Sequence, residues 1–424
     1  MMLVLLISLF VFFLLNVPIA LSIALASLLA FHAHGDLPLM MVIQRLYAGV
    51  DSFPLMAVPL FMYAGLLMEA GGISRRVVDL AEATVGWLPG GLTAVTIVSA
   101  MFFAGISGSA AADAAAVGSI LIPAMIQRGY DPKLASAVMA SGGSLGVVIP
   151  PSIPMIIFGF LTGASIGKLF AAGILPGIVI GISLIALSVF IAWRGGMKDI
   201  TSFSVSKFVR ALWEAKWALG APVVILGGIL GGIFTATEAA AVATAYALIV
   251  GLFIHRELKI EQLPGIFIKA TLTASTILFI ISTASVFSWL MAIEDIPGKI
   301  AVHILGITRN PIVLILIVNA ILLLAGTFVE TTAALILFVP VIMPLVPDLG
   351  VDMIQLGVIV VVNLAIGMLT PPLGICLLVS CSIAGIRLEE IIRRIWAFLM
   401  VLILNLLLIT FWKPLTMWIP GFMK

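Results

Sequence analysis

The sequence predicts an all-α polytopic membrane protein built as an inverted-repeat transporter, with two re-entrant hairpins and two Pro-broken helices. Three observations carry that expectation. Of the 424 residues, 63% are hydrophobic and only 9% charged, whereas a soluble domain carries roughly 25% charged residues. So few charges cannot cover a soluble surface, which excludes a cytosolic enzyme. The chain also aligns with itself at a constant offset of 221 residues (325 minus 104, for example): Ala104/Ala325, Gly105/Gly326, Ala112/Ala333, Pro123/Pro344, Gly129/Gly350, Asp131/Asp352, Gly146/Gly367, Pro150/Pro371 and Pro151/Pro372. Most of these pairs are Gly or Pro, which mark backbone geometry rather than apolarity. Finally, the aligned stretches are apolar runs interrupted by polar or helix-breaking residues, and such breaks at membrane depth must line a cavity or lie buried in protein.

The elements follow in chain order. Residues 1–31 hold no Lys or Arg, so the basic region of a cleavable signal is missing, and the run Leu3–Phe31 reads as a first span kinked at Pro18. With an interfacial helix at 37–53 it makes an N-terminal unit, 1–53. The first inverted repeat covers 54–193: a span (54–70), a hairpin (91–124), a broken helix (131–164) and a span (168–193). Residues 194–265 connect the halves through an interfacial helix (194–216), anchored by Trp213 and Trp217, and two spans (217–233, 235–254). The second inverted repeat covers 266–424, with its hairpin at 311–347, its broken helix at 352–381 and a last span at 397–419.

Charge sets the orientation. Placing the N-terminus inside puts 15 of the 21 Lys and Arg on the cytoplasmic side and 6 opposite, so the positive-inside rule favours a cytoplasmic N-terminus and a periplasmic C-terminus. Five crossings separate the starts of 54–70 and 266–293. An odd number turns one half upside down relative to the other, the architecture of secondary transporters. The net charge of +2 comes from dispersed residues, which gives no footprint for nucleic acid. Cys376 and Cys381 share one apolar stretch and are expected to pack rather than pair.

Within each half a hairpin tip faces a break. The first tip is Gly105-Ile106-Ser107-Gly108-Ser109, opposite Gly146-Val147-Val148-Ile149-Pro150-Pro151. The second is Gly326-Thr327-Phe328-Val329-Glu330, opposite Gly367-Met368-Leu369-Thr370-Pro371-Pro372. A Pro pair removes two backbone donors and frees carbonyls one turn earlier. Carbonyls and hydroxyls together make a hard oxygen cage that suits an alkali cation, and no His/Cys cluster offers a transition-metal site. Opposed helix N-termini suit a carboxylate. Two sodium sites are therefore expected: Ser107, Ser109, Gly146, Val148 and Pro150 at one, and Gly326, Thr327, Gly367, Met368 and Thr370 at the other. The solute is expected at Ser107, Ser109, Ser165, Glu238, Glu330 and Thr331. No cofactor is expected besides sodium as coupling ion.

The segments ISGSAAADAAAVGSILIPAM (106–125), GSLGVVIPPSIPMIIFGF (143–160), GTFVETTAALILFVPVIMPL (326–345), NLAIGMLTPPLGI (363–375) and FPLMAVPLFMYAGLLMEAGGI (53–73), with Thr237-Glu238-Ala239, resemble the large membrane subunit of tripartite ATP-independent periplasmic (TRAP) transporters, the DctM-like family. The resemblance runs over essentially the whole chain. It implies a bacterial inner-membrane carrier driven by a sodium gradient, importing a carboxylated solute such as a C4-dicarboxylate or sugar acid by an elevator-like motion. It also implies two partners, a small four-helix membrane subunit (DctQ-like) and a periplasmic solute-binding protein (DctP-like).

Single residues carry competing readings. Glu330 sits at a membrane-depth tip, where an ionisable group points to function, although it could simply serve the following half-helix dipole. Glu238 follows Thr235 by three, so a capping box competes with a solute role. Asp113, one turn into a helix, favours a dipole role over coordination. Ser165 and Lys168 are either a solute mouth or a plain loop, and Asn363 is expected to bond between helices. His32-Ala33-His34 lacks further ligands for a metal site. An intramembrane enzyme would need a nucleophile with a base or a metal dyad, and a channel would need a continuous lined pore; neither pattern is present. The closer rival is a binding-protein-independent sodium/carboxylate symporter of related fold, which neighbouring genes for the two partners would discriminate.

Overall fold

The computed structural model describes residues 2–35, 38–197 and 203–423, without the His34 side chain. No strand occurs among the described residues, and nine helical segments there are long and apolar enough to cross a membrane. The chain opens with α1 (Met2–Leu14), α2 (Ile19–His34) and α3 (Met40–Ala48). After a short turn come α4 (Ala57–Ala70) and α5 (Ile73–Val85). The first hairpin is α6 (Gly91–Ser107) with α7 (Ala110–Gln127), and the first broken helix is α8 (Pro132–Gly143) with α9 (Ile153–Thr162). Long spans α10 (Ile166–Arg194), α11 (Val205–Leu230), α12 (Ala236–Ile249) and α13 (Leu263–Ile293) follow, then α14 (Ile296–Ile307). The second hairpin is α15 (Pro311–Phe328) with α16 (Thr331–Ile342), closed by the short α17 (Val346–Leu349). The second broken helix is α18 (Met353–Gly367) with α19 (Ile375–Ala384), and α20 (Leu388–Phe411) is the last long span.

The expected single span over 3–31 is not made. Asn16 adopts a left-handed conformation (φ 57°) that ends α1, and Pro18 starts α2 afresh. Helices of 13 and 16 residues are about 20 and 24 Å long, short of the roughly 30 Å hydrocarbon core. They fold back on one another instead, with Leu5, Ile23 and Ala26 buried. Leu6, Leu9 and Phe13 line one groove with Phe287, Ile300 and Leu345. The expected interfacial helix at 194–216 is also absent as a separate element. Residues 198–202 lie outside the described set, and Val205–Leu230 is one continuous 26-residue helix. Trp213 and Trp217 sit on its first half, with the Lys216 ammonium 3.5 Å from the Trp213 ring centre.

The 221-residue offset is visible as geometry. Asp131 and Asp352 each cap the helix they precede, accepting from the N–H two residues on at 3.0 and 2.8 Å. Gly129 and Gly350 both turn with positive φ, and Pro150-Pro151 and Pro371-Pro372 are both cis. Ser109 and Glu330, also 221 apart, are the N-caps of the two inner hairpin helices α7 and α16.

Two bodies position the site. In the first, α12 lies beside α4 in parallel, with Thr237 Oγ1 donating to Phe53 O (3.1 Å) and Thr244 Oγ1 to Leu60 O (2.9 Å). Helices α2, α3 and α13 join this frame, and Ser282 Oγ pins α3 through Leu46 O at 2.7 Å. The second body holds both hairpins, both broken helices, α10 and α20. A buried amide chain knits it: Asn363 Nδ2 donates to Asn319 Oδ1 (2.9 Å), and Asn319 Nδ2 to Thr410 Oγ1 (3.1 Å). Asn363 thus makes the interhelical bond expected of it. At the opening of the first hairpin, exposed pairs join Arg128 to Glu82, Lys133 to Glu390 and Arg394 to Asp131, each worth little alone. This end is the Asp131 face; the opposite end is the Arg45 face.

Candidate functional site

Between the two bodies lies a cavity of about 570 Å³. The hairpin-body wall is made by the hairpin tips and breaks: Gly108, Ser109, Glu330, Thr331, Val147 and Met368. The frame wall is Pro18, Met62, Thr273, Thr276 and Ile280. Two hairpins entering from opposite faces thus end at the same depth, each delivering the N-terminus of its inner helix to one space.

At the first tip, Gly108 turns with φ 66°, and a side chain there would strike the Pro151 carbonyl at 2.8 Å. Glycine lets the tip sit directly on the first break, where Ile153 N–H reaches Gly108 O at 3.4 Å. The Ser107 hydroxyl donates to Asp113 Oδ1, and Ser109 N–H donates back to Ser107 Oγ at 3.1 Å. Asp113 is fully buried, and its Oδ2 has no hydrogen-bond partner among the described residues. That oxygen faces Gly146, where a Cβ would collide with it. The Val148 and Pro150 carbonyls likewise accept no hydrogen bond among the described residues. The unpartnered Asp113 oxygen lies against Gly146, the Val148 carbonyl faces Gly173 of α10 and the Pro150 carbonyl faces Gly105. The sequence reading gave Asp113 a dipole role; the structure sets its carboxylate between Ser107 and Gly146, two of the residues expected at the first site.

The second tip is chemically different. Gly326 and Thr327 still belong to α15, and the turn proper is Val329-Glu330. Gly326 and Gly367 touch backbone to backbone, with 2.5 Å left between a Gly367 Cβ and Gly326 Cα. Thr327 Oγ1 donates to Leu324 O (2.7 Å) and Thr370 Oγ1 to Ile366 O (2.9 Å), leaving their lone pairs as acceptors. Gly367 O and Met368 O are already engaged, by Thr370 N–H at 2.9 Å and Cys376 N–H at 3.2 Å. The position matching Asp113 is Ala334, so no carboxylate enters this side. Glu330 instead turns back onto its own helix, accepting from Thr332 N–H (2.9 Å) and Ala333 N–H (3.3 Å). It caps α16 and lines the cavity at once, joining the two readings the sequence left open.

Three of the expected solute residues, Ser109, Glu330 and Thr331, line this cavity, and Ser107 lies buried behind them, accepting from Ser109 N–H. Ser165 and Glu238 do not join them. Ser165 caps α10 through Lys168 N–H (3.4 Å) and lines a separate cavity on the Arg45 face. Glu238 closes a capping box with Thr235, accepting from its N–H and its hydroxyl, both at 2.8 Å. Both lie at helix starts, outside the lining of the central cavity. The frame wall was not found from sequence. Its signal was present in Thr273 and Thr276, a polar pair three apart among the several Ser and Thr residues of α13.

With this geometry in place, comparison with known proteins is decisive. Residues 6–415 match the family model for the DctM component of tripartite ATP-independent periplasmic transporters. The chain belongs to the DctM family. Among its relatives is the isethionate TRAP transporter permease protein DctMQ of Oleidesulfovibrio alaskensis, 44% identical over 95% of this chain. The chain spans 64% of that relative's length. The C4-dicarboxylate TRAP transporter large permease protein DctM of Pseudomonas aeruginosa is 36% identical, with 89% of each chain covered. The 2,3-diketo-L-gulonate large permease protein YiaN of Escherichia coli is 39% identical over 85% of this chain and 84% of its own. DctM is a family of transporter components and not of enzymes. The fold resembles the Alcanivorax borkumensis YdaH transporter, at a TM-score of 0.65 and 13% identity, covering 91% of this chain and 90% of that one.

Proposed function

We propose that this DctM-family chain is the large permease subunit of a sodium-driven, binding-protein-dependent importer of an organic anion across the bacterial inner membrane. The observation that carries this reading is the convergence of two inverted hairpin tips and two Pro-Pro breaks on one cavity between two bodies. Sodium is a coupling substrate here. The first site offers Ser107, Asp113, Val148 and Pro150; the second offers Thr327 and Thr370 oxygens. With a carboxylate only at the first, that site holds sodium more tightly, because a fixed negative charge offsets the cation's lost hydration in low dielectric. The helix start at Ser109, uncapped by a side chain, presents N–H groups to the cavity, which suits a carboxylate or sulfonate group, whereas those after Glu330 are taken by its own carboxylate. Isethionate, C4-dicarboxylates and 2,3-diketo-L-gulonate, for which the three relatives are named, are all organic anions. Importing them calls for a small membrane subunit and a periplasmic binding protein, with the Asp131 face cytoplasmic and the Arg45 face periplasmic. Alternating access follows if the hairpin body slides along the frame while the cavity stays attached to the tips.

The test is reconstitution of the chain in liposomes with its small subunit and binding protein, assayed with isethionate, succinate and sugar acids under an inward sodium gradient. Uptake that requires the gradient and both partners supports the reading. Uptake undiminished without the partners would favour the binding-protein-independent symporter.

A further inference from the structure

The frame helix α13 places a polar pair at each of two cavities. Thr273 and Thr276 line the central cavity. Ser285 and Ser288, each twelve residues further on (273 to 285, 276 to 288), line a second cavity of about 390 Å³ nearer the Arg45 face. Twelve residues of α-helix are about 18 Å of rise and about a third of a turn of rotation. The two pairs thus point about 120° apart around the axis, and each cavity is closed on its far side by residues of the hairpin body.

The second cavity differs from the first in having a cation. Arg45, on α3, lines it and lies 5.4 Å from the Trp289 ring centre. Arg45 pairs with no carboxylate among the described residues. Its position is fixed from below: Ser282 holds the Leu46 carbonyl, and Gly49 sits so close on Ser285 that a Cβ there would meet the Ser285 side chain. The hydroxyls of Ser285 and Ser288 are engaged by no other described residue. The opposite wall is Phe160 and Leu161 of α9 with Ile336 and Pro340 of α16, residues that lie one to three turns beyond the tips on the hairpin body. Sliding that body towards the Arg45 face replaces these apolar residues with the tips themselves.

We propose that Arg45, Ser285 and Ser288 form a second anion-binding level for the carboxylate or sulfonate group of the solute, reached when the hairpin tips rise about 18 Å along α13. The stacked, unpaired guanidinium offers a planar donor fork to an oxyanion, and the two hydroxyls supply neutral donors beside it. This rests on the transport reading above. It assigns to the periplasmic-facing state a specificity residue that the tips alone do not provide.

The test uses the full chain with its small subunit in vesicles of defined lipid, in a Cys376→Ser/Cys381→Ser background. One cysteine pair, Ser109→Cys with Thr276→Cys, reports the level seen here; the other, Ser109→Cys with Ser288→Cys, reports the second level. A short bifunctional thiol reagent should link both pairs. Separately, Ser288→Cys should react at least several-fold faster with a sulfonate-bearing methanethiosulfonate than with its trimethylammonium analogue. Arg45→Gln should abolish that preference, and Arg45→Lys should keep most of it. Linking of the first pair alone, or a preference indifferent to Arg45→Gln, would overturn the proposal and leave the transport reading standing. Failure of both pairs would count against the shared cavity and so against both. A preference that appears only in vesicles without anionic lipid would assign Arg45 to a lipid headgroup and also overturn the proposal.

Discussion

The Ser107 hydroxyl donates to one oxygen of Asp113 across the first hairpin turn, while the other oxygen faces Gly146 without a partner among the described residues. An unpaired carboxylate oxygen in a dry interior is costly unless a cation is held there. Asp113→Asn keeps the shape and the Ser107 contact but removes the charge. The sodium concentration for half-maximal uptake should rise about 10- to 100-fold, the range for losing a charged contact, with unchanged chain abundance in the membrane. Uptake measured against sodium checks it.

Gly326 and Gly367 meet backbone to backbone, so the second hairpin can seat only if neither has a side chain. Gly367→Ala should destabilise the purified protein by about 1–3 kcal/mol, the usual cost of overpacking. Thermal unfolding in detergent reads this as a lowered Tm. Gly306→Ala, at a position with open space around it, should leave Tm unchanged.

The amide chain from Asn363 through Asn319 to Thr410 joins three helices of the hairpin body. Asn363→Ala removes one end of that chain and leaves Asn319 Oδ1 without its donor. The expected loss is about 0.6–1.7 kcal/mol, the measured range for hydrogen bonds between membrane helices, seen as increased unfolding in a denaturant titration.

The hairpins, the breaks and the inverted repeat were legible in the sequence because Gly and Pro pairs at a fixed offset record backbone geometry directly. The opening hairpin was not. A uniformly apolar run of 29 residues (3 to 31) fits one kinked span, and only the left-handed turn at Asn16 separates that from two folded-back helices. The surroundings of Asp113 were hidden for a different reason. Its partners are six residues back across a turn and thirty-three residues ahead at Gly146, a proximity that only packing of α7 on the first break creates. Ser165 and Glu238 were grouped with the solute residues by type, yet both serve local caps.

That correction is itself testable. Ser165→Ala and Glu238→Gln lie away from the central cavity, so uptake should stay within about twofold of wild type, the scale of a surface change near ±0.5 kcal/mol. Glu330→Gln alters a group that caps α16 and lines the cavity, and uptake should fall by at least tenfold, a loss of about 1.4 kcal/mol.

The central claim is that two oxygen cages couple sodium to movement of the hairpin body. The most direct measurement is uptake by the reconstituted complex as sodium replaces potassium at constant ionic strength. Wild-type uptake should be sigmoidal in sodium, since both sites fill before the body moves. Thr370→Val and Ser107→Ala should each raise the sodium requirement roughly three- to tenfold, as expected for losing one neutral ligand of about 0.5–1.5 kcal/mol, and the double variant should be worse than either. Uptake indifferent to sodium, or an unchanged sodium requirement in both single variants, would contradict the account.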